Sequence, residues 1–116
     1  MLKVHAKKLH DVTVLSLEGQ IINGETENLR RALQSASGDI ILDFSNVSVM
    51  DARGLGVLLQ MREKTLANGA HFELINVSTR LYRIFEITRL NTVFEINSGV
   101  EIHPHRAPLL CVPVAA

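Results

Sequence analysis

Cysteine is nearly absent from this chain of 116 residues, Cys111 standing alone. That excludes an internal disulfide framework and a cysteine-built zinc site, and it suits a reducing compartment. Cys111 itself reads as a small apolar filler. A surplus of charge is missing too: 12 basic and 12 acidic residues balance. Lysine and arginine are scattered with few aromatics among them, which speaks against a nucleic-acid groove. No apolar run is long enough to span a bilayer, since the longest uncharged stretch, Ala107 to Ala116, is short and holds two prolines. Met1 to His10 interleaves charge with apolar residues and so does not read as a signal peptide, which leads to the expectation of a cytoplasmic protein. Repeats and low-complexity segments are also absent. The length fits one domain, able to bury about two thirds of its unfolded surface.

What is present centres on the stretch from Asp39 to Gly69. Ile40-Ile41-Leu42-Asp43-Phe44 has the length and branched side chains of a strand covered on both faces, followed by a polar turn at Ser45-Asn46. After Val47 to Met50, the carboxylate of Asp51 suits the N-cap of a helix whose apolar spacing runs through Leu55, Leu58, Leu59 and Leu66. Asn68-Gly69 is the expected stop. His71 to Ile75 then supplies a parallel neighbour strand by a crossover. In open sheets of this kind the loops beyond the strands' carboxyl ends carry recognition, so Met50-Asp51-Ala52-Arg53-Gly54 is the first place to look for function.

On either side the pattern is simpler. Residues 2 to 9 and 12 to 18 alternate as an antiparallel hairpin, with Thr13, Leu15 and Leu17 on one face. Gly19 to Gly24 breaks the pattern, and Glu25 to Ser35 reads as a first helix with Glu25 and Glu27 near its positive end. After the Ser78 region, another N-cap candidate, Leu81, Ile84, Phe85 and Thr88 mark a third helix, closed by Arg89 to Asn91. Val93 to Ile96 reads as a last strand, and Pro104, Pro108 and Pro113 rule out a continuous helix in the C-terminal segment. The expectation is an α/β fold in a single domain over residues 1–116: a mixed, mostly parallel sheet flanked by helices, a core over about 2–98 and a Pro-interrupted tail over 99–116.

Three segments carry a resemblance: Leu42 to Leu59, L-D-F-S-N-V-S-V-M-D-A-R-G-L-G-V-L-L; Ala67 to Ser78, A-N-G-A-H-F-E-L-I-N-V-S; and Arg83 to Ile96, R-I-F-E-I-T-R-L-N-T-V-F-E-I. With the order of elements, they resemble a STAS domain of the anti-sigma factor antagonist (anti-anti-sigma factor) family. The likeness spans nearly the whole chain and is weaker before Gly19 and after Ile96. It implies a module that binds an anti-sigma factor, often a serine kinase of the histidine-kinase-like ATPase type, and thereby frees a sigma factor. In the family the residue after the aspartate is usually a serine that the partner phosphorylates to end the association.

Here that position is Ala52, which has no hydroxyl to receive phosphate, so the usual off-switch is missing and binding is expected to be constitutive. Arg53 places a cation in the first turn of a helix, where the dipole disfavours it by a few tenths of a kcal/mol. Asp51 or an acidic patch on a partner would offset that. A further departure is Ile22, where many members carry an acidic residue. The residues expected to contact the partner are Met50, Asp51, Ala52, Arg53 and Gly54, with Val57 and Met61 on the second helix and Asn23 on the neighbouring loop.

Blander readings stand beside these. Asp51 is fully explained as a cap, with no second carboxylate placed for acid–base work or a metal. Gly54-Leu55-Gly56 lacks the third glycine of a dinucleotide loop, Leu59 standing in its place, so no cofactor is expected. His103-Pro104-His105 lacks a third ligand, and no metal is expected. Ser45 and Ser48 suit local backbone hydrogen bonds better than modification. Leu109, Leu110, Val112 and Val114 leave two options open, covering a sheet edge or pairing in a homodimer. The chain is not expected to be an enzyme. The alternative to an anti-sigma factor antagonist is a never-phosphorylated STAS subunit of a larger assembly, such as a lipid-transport complex or a stress-signalling particle.

Overall fold

A computed structural model describes residues 2–22 and 24–97. Asn23, the tail from 99 to 116 with Cys111, and the pair His103 and His105 lie outside the described residues. Strands β1 (Lys3–Leu9) and β2 (Val12–Ile21) form the expected hairpin, in register from Lys3 opposite Glu18 to Leu9 opposite Val12. The turn between them takes His10 through a positive φ of 56°. Helix α1 (Glu27–Gln34) leads to β3 (Asp39–Met50), helix α2 (Ala52–Ala67) to β4 (Phe72–Ile75), and helix α3 (Thr79–Ile87) with a short 3-10 turn to β5 (Glu95–Asn97). The strands lie in the order β1-β2-β3-β4-β5, with β1 antiparallel and the rest parallel. The expected α/β sheet is therefore present, with its antiparallel strand at one edge.

Burial along β2 and β3 alternates. Thr13, Leu15 and Leu17 are buried, as are Ile40, Leu42 and Phe44, while Ile41 and Asp43 are only half-buried. The expectation that β3 is covered on both faces is thus corrected: one face carries the core and the other stays partly open. The polar turn expected at Ser45-Asn46 is corrected as well, because β3 runs on to Met50 with those two side chains exposed. β2 likewise continues through Gly19 to Ile21. Polar side chains on an outward face satisfy themselves in water, so they do not end a strand whose neighbour still supplies backbone hydrogen bonds.

Helix α1 begins two residues later than its acidic residues suggested. The Glu25 carboxylate accepts a hydrogen bond from the Leu2 N–H at 3.0 Å, and the Asn28 amide donates to the Leu2 carbonyl at 3.0 Å, so these side chains clip the N-terminal strand onto the helix. Leu29 is its fully buried residue. In α2 the inward stripe is centred on Leu58, Met61 and Thr65. Leu66, expected in the core, sits about 100° round from Thr65 on the flank of that stripe and is 42% exposed. At the far edge Phe94 packs edge-on against Phe85, with ring centroids 5.5 Å apart, and lies 6.3 Å from Phe72. This cluster ties α3 to the sheet. It also explains why β5 starts at Glu95, two residues later than expected: Phe94 turns inward before pairing begins.

Candidate functional site

β3 is paired on both sides only from Ile40 to Asp43. Above Asp43 its partner in the sheet is β2 alone, through Asn46 with Glu18, Val47 with Gly19, Val49 with Gln20 and Met50 with Ile21. Register shifts fall between Ser16 and Glu18 and between Gly19 and Gln20. The two strands therefore climb together past β4, and the loop expected to carry function sits at the top of that ribbon.

Three contacts fix the loop. The Asp51 N–H donates to the Ile21 carbonyl at 3.1 Å, which extends the β2–β3 pairing by one residue. Asp51 is itself extended (φ −111°, ψ −177°), and its Oδ1 accepts the Gly54 N–H at 2.8 Å, the N-cap of α2. Gly54 lies so close to β2 that a Cβ placed on it would stand 2.1 Å from the Ile21 carbonyl oxygen. Only a residue without a side chain lets the first turn of α2 settle there. Gly56, by contrast, would meet nothing within 4 Å. Gly54 thus serves the approach of helix to strand, and Gly56 does not.

The loop and first helical turn divide by exposure. Ala52 and Arg53 are exposed and Asp51 is half-buried. Met50 (5% exposed), Val57 (8%) and Met61 (6%) belong to the hydrophobic core, and Gly54 is buried beneath the loop. Of the residues expected at a partner surface, then, Met50, Gly54, Val57 and Met61 are turned inward: the last two share the stripe of Leu58, which the sheet covers. Asn23 lies outside the described residues. Arg53 makes no ion pair among the described residues, so of the two counter-charges considered for it the one within the chain, Asp51, is not used, and Arg53 is exposed.

A polar cluster that sequence reading did not bring together lies where β4 ends. The Asn76 side-chain amide donates to Asp43 Oδ1 at 3.0 Å and to the Ser45 hydroxyl at 3.2 Å, and the Ser45 N–H donates to the same carboxylate oxygen at 2.9 Å. The Ser45 hydroxyl makes a further short hydrogen bond to that oxygen. Burial alone raises the Asp43 pKa, but the hydrogen bonds from Ser45 and Asn76 outweigh it and hold the carboxyl below its ordinary value. Asn76 takes a positive φ of 58°, and its N–H donates to the Asn97 carbonyl at 2.9 Å, so one residue pins β3, β4 and β5 at this end. Asparagine tolerates that backbone, and this was the available signal: an asparagine directly after an apolar strand. The Ser48 hydroxyl donates to the Gly19 carbonyl at 3.3 Å. Ser45 thus bonds the nearby Asp43 carboxylate, whereas Ser48 bonds across to β2, 29 residues away in sequence, and both sit on a strand instead of in a turn. Among the described residues no group of three or more histidine, cysteine, aspartate or glutamate side chains could hold a metal ion, and no helix is long and apolar enough to cross a membrane.

A mixed five-stranded sheet with this helix-capping loop is the architecture of a STAS domain, and the STAS family model matches residues 3–105, so the chain belongs to that family. Among characterised relatives it is similar to the anti-sigma-B factor antagonist of Staphylococcus aureus (strain NCTC 8325 / PS 47), at 35% identity over 69 residues, which is 60% of this chain. The matched part spans 64% of that relative's length. The fold is also that of a putative anti-sigma factor antagonist from Thermotoga maritima, with a TM-score of 0.72 and 22% identity over 81% of this chain and 85% of that one. It is shared as well by a sulfate transporter family protein from Wolinella succinogenes, with a TM-score of 0.69 and 22% identity over 78% of this chain and 79% of that one. At such identities the structural likeness speaks for the fold alone.

Proposed function

We propose that this chain is an anti-sigma factor antagonist: a binding module, not a catalyst, that docks an anti-sigma factor in the cytoplasm and so frees a sigma factor by mass action. The partner in this reading is a serine kinase of the histidine-kinase-like ATPase type. The observation that carries the proposal is the loop held by the Asp51 cap, the Asp51 N–H on Ile21 and the close seat of Gly54, which presents Ala52 and Arg53 to solvent while Met50 and Gly54 are buried. In this reading Ala52 and Arg53 are the contact residues, with Asn23 as a third, and Asp51, Met50 and Gly54 set the height and angle of the loop. Similarity to the staphylococcal anti-sigma-B factor antagonist supports the choice of partner.

Ala52 makes the docked form permanent, because a methyl group cannot accept the phosphate whose charge would oppose docking. The experiment is phosphoryl transfer with the anti-sigma factor encoded by the same organism. With ATP, the wild-type chain is expected to stay unmodified and bound, whereas Ala52→Ser gains one phosphate and dissociates. A wild-type chain that takes up phosphate and leaves the complex would contradict the reading. The same methyl also suits the second reading, a permanently unmodified subunit of a larger assembly, for which a stable stoichiometric complex without any anti-sigma factor would be the sign.

A further inference from the structure

At the opposite end of the sheet from the docking loop, α1 and α2 part over the start of β3 and leave a cleft of about 520 Å³. That volume lies in the range of small-molecule sites. Its floor is apolar, formed by Leu33 from α1, Ile40 from β3 and Met61 from α2, with Ile40 and Met61 buried. Its rim is polar and carries two cations, Arg30 on α1 and Lys64 on α2. None of the residues lining it is acidic, and neither Arg30 nor Lys64 makes an ion pair among the described residues. In a chain whose acidic and basic residues balance overall, two uncompensated cations over one apolar floor form a local site of defined polarity.

We infer that this cleft binds a small organic anion, with its apolar body against Leu33, Ile40 and Met61 and its phosphate or carboxylate held by Arg30 and Lys64. Apolar contact supplies the burial, and the charge-assisted hydrogen bonds of the two cations select the headgroup. A neutral apolar molecule leaves the cations without a partner, and an inorganic anion leaves the floor wet. Both parts of the ligand are therefore required. The site is independent of the docking loop, which occupies the other end of α2.

The test is a titration of the ¹⁵N-labelled full chain, following amide shifts, with 1-naphthyl phosphate and 1-naphthoate as probes and with 1-naphthol and inorganic phosphate as single-part controls. Saturable shifts centred on Leu33, Ile40, Met61 and Lys64 are expected with either or both probes, and weaker or no shifts there with the controls. Arg30→Gln and Lys64→Gln replace exposed helical side chains with another good helix former, so folding is retained, and each is expected to weaken the probe by about tenfold. Rising salt should weaken it as well. Absence of saturable shifts with both probes would overturn the inference. So would equal binding of 1-naphthol, or affinity unchanged in the Arg30→Gln/Lys64→Gln double variant.

Discussion

The two halves of β3 belong to one strand yet are built on different terms. From Ile40 to Asp43 it is paired on both sides, and buried residues alternate with half-buried ones. From Ser45 to Met50 it leans on β2 alone, through an irregular register, and four of its six side chains are exposed. The lower half holds the fold together by hydrophobic burial. The upper half is held by a few specific contacts at its tip, the Asp51 cap, the Asp51 N–H on Ile21 and the close seat of Gly54, and these contacts position the exposed loop that we propose as the docking surface. A binding surface that must stay exposed cannot be stabilised by covering it, so its order has to come from backbone geometry beneath it.

The largest effect should come from that seat. Gly54→Ala places a methyl group against a backbone carbonyl that has no rotamer to escape into, and a loss of about 1–3 kcal/mol in unfolding free energy is expected by urea titration. Gly56→Ala, two residues along the same helix and facing open space, should instead gain up to about 1 kcal/mol from helix propensity. Equal effects at the two glycines would show that the close approach to Ile21 is not what holds the loop. Asp51→Ala removes the cap at the same tip and should lower stability by about 1 kcal/mol. Amide exchange that quickens first at Gly54 and Leu55 would locate the loss in the upper half.

Much of this organisation was legible in the residues themselves. The reach of α2 followed from Asp51 at one end and Asn68-Gly69 at the other, because cap chemistry is local. The hairpin followed from loose alternation, with Thr13, Leu15 and Leu17 inward. What stayed hidden depends on tertiary neighbours. Ser45 and Asn46 read as a turn because polar pairs often are one, and only the presence of β2 alongside keeps them in a strand. Val57 and Met61 look like candidates for a partner surface until the sheet is seen to cover the stripe they share with Leu58. Glu25 read as a helix-dipole partner and turned out to bind Leu2, 23 residues away in sequence. The polar cluster showed in sequence only as an asparagine after an apolar strand, and its pairing with Asp43, 33 residues away, was hidden for the same reason.

That cluster sits at the junction of the two halves and gives a smaller, pH-dependent effect. The Asp43 carboxyl titrates below its ordinary value, so its folded-state pKa lies under the unfolded one. Its contribution to stability is therefore complete above the unfolded value of about 3.9 and is lost as pH falls through the lower folded value. Asp43→Asn should cost some stability at neutral pH and show a shallower decline on acidification below about pH 4. A carboxyl resonance of Asp43 that titrates at or above the ordinary aspartate value would contradict the network of Ser45 and Asn76.

The smallest effect on stability falls where the largest effect on binding is expected. Ala52→Glu puts an anion in the first turn of α2, where the helix dipole favours it by a few tenths of a kcal/mol, so the fold should be retained or slightly strengthened. A carboxylate desolvated against a partner without compensation costs about 2–5 kcal/mol, which is well over tenfold in affinity. The direct measurement is titration calorimetry of the folded Ala52→Glu chain against the anti-sigma factor from the same organism. An affinity reduced at least tenfold, with an unchanged unfolding midpoint, is the expected result; an affinity equal to wild type would contradict a docking surface at Ala52 and Arg53.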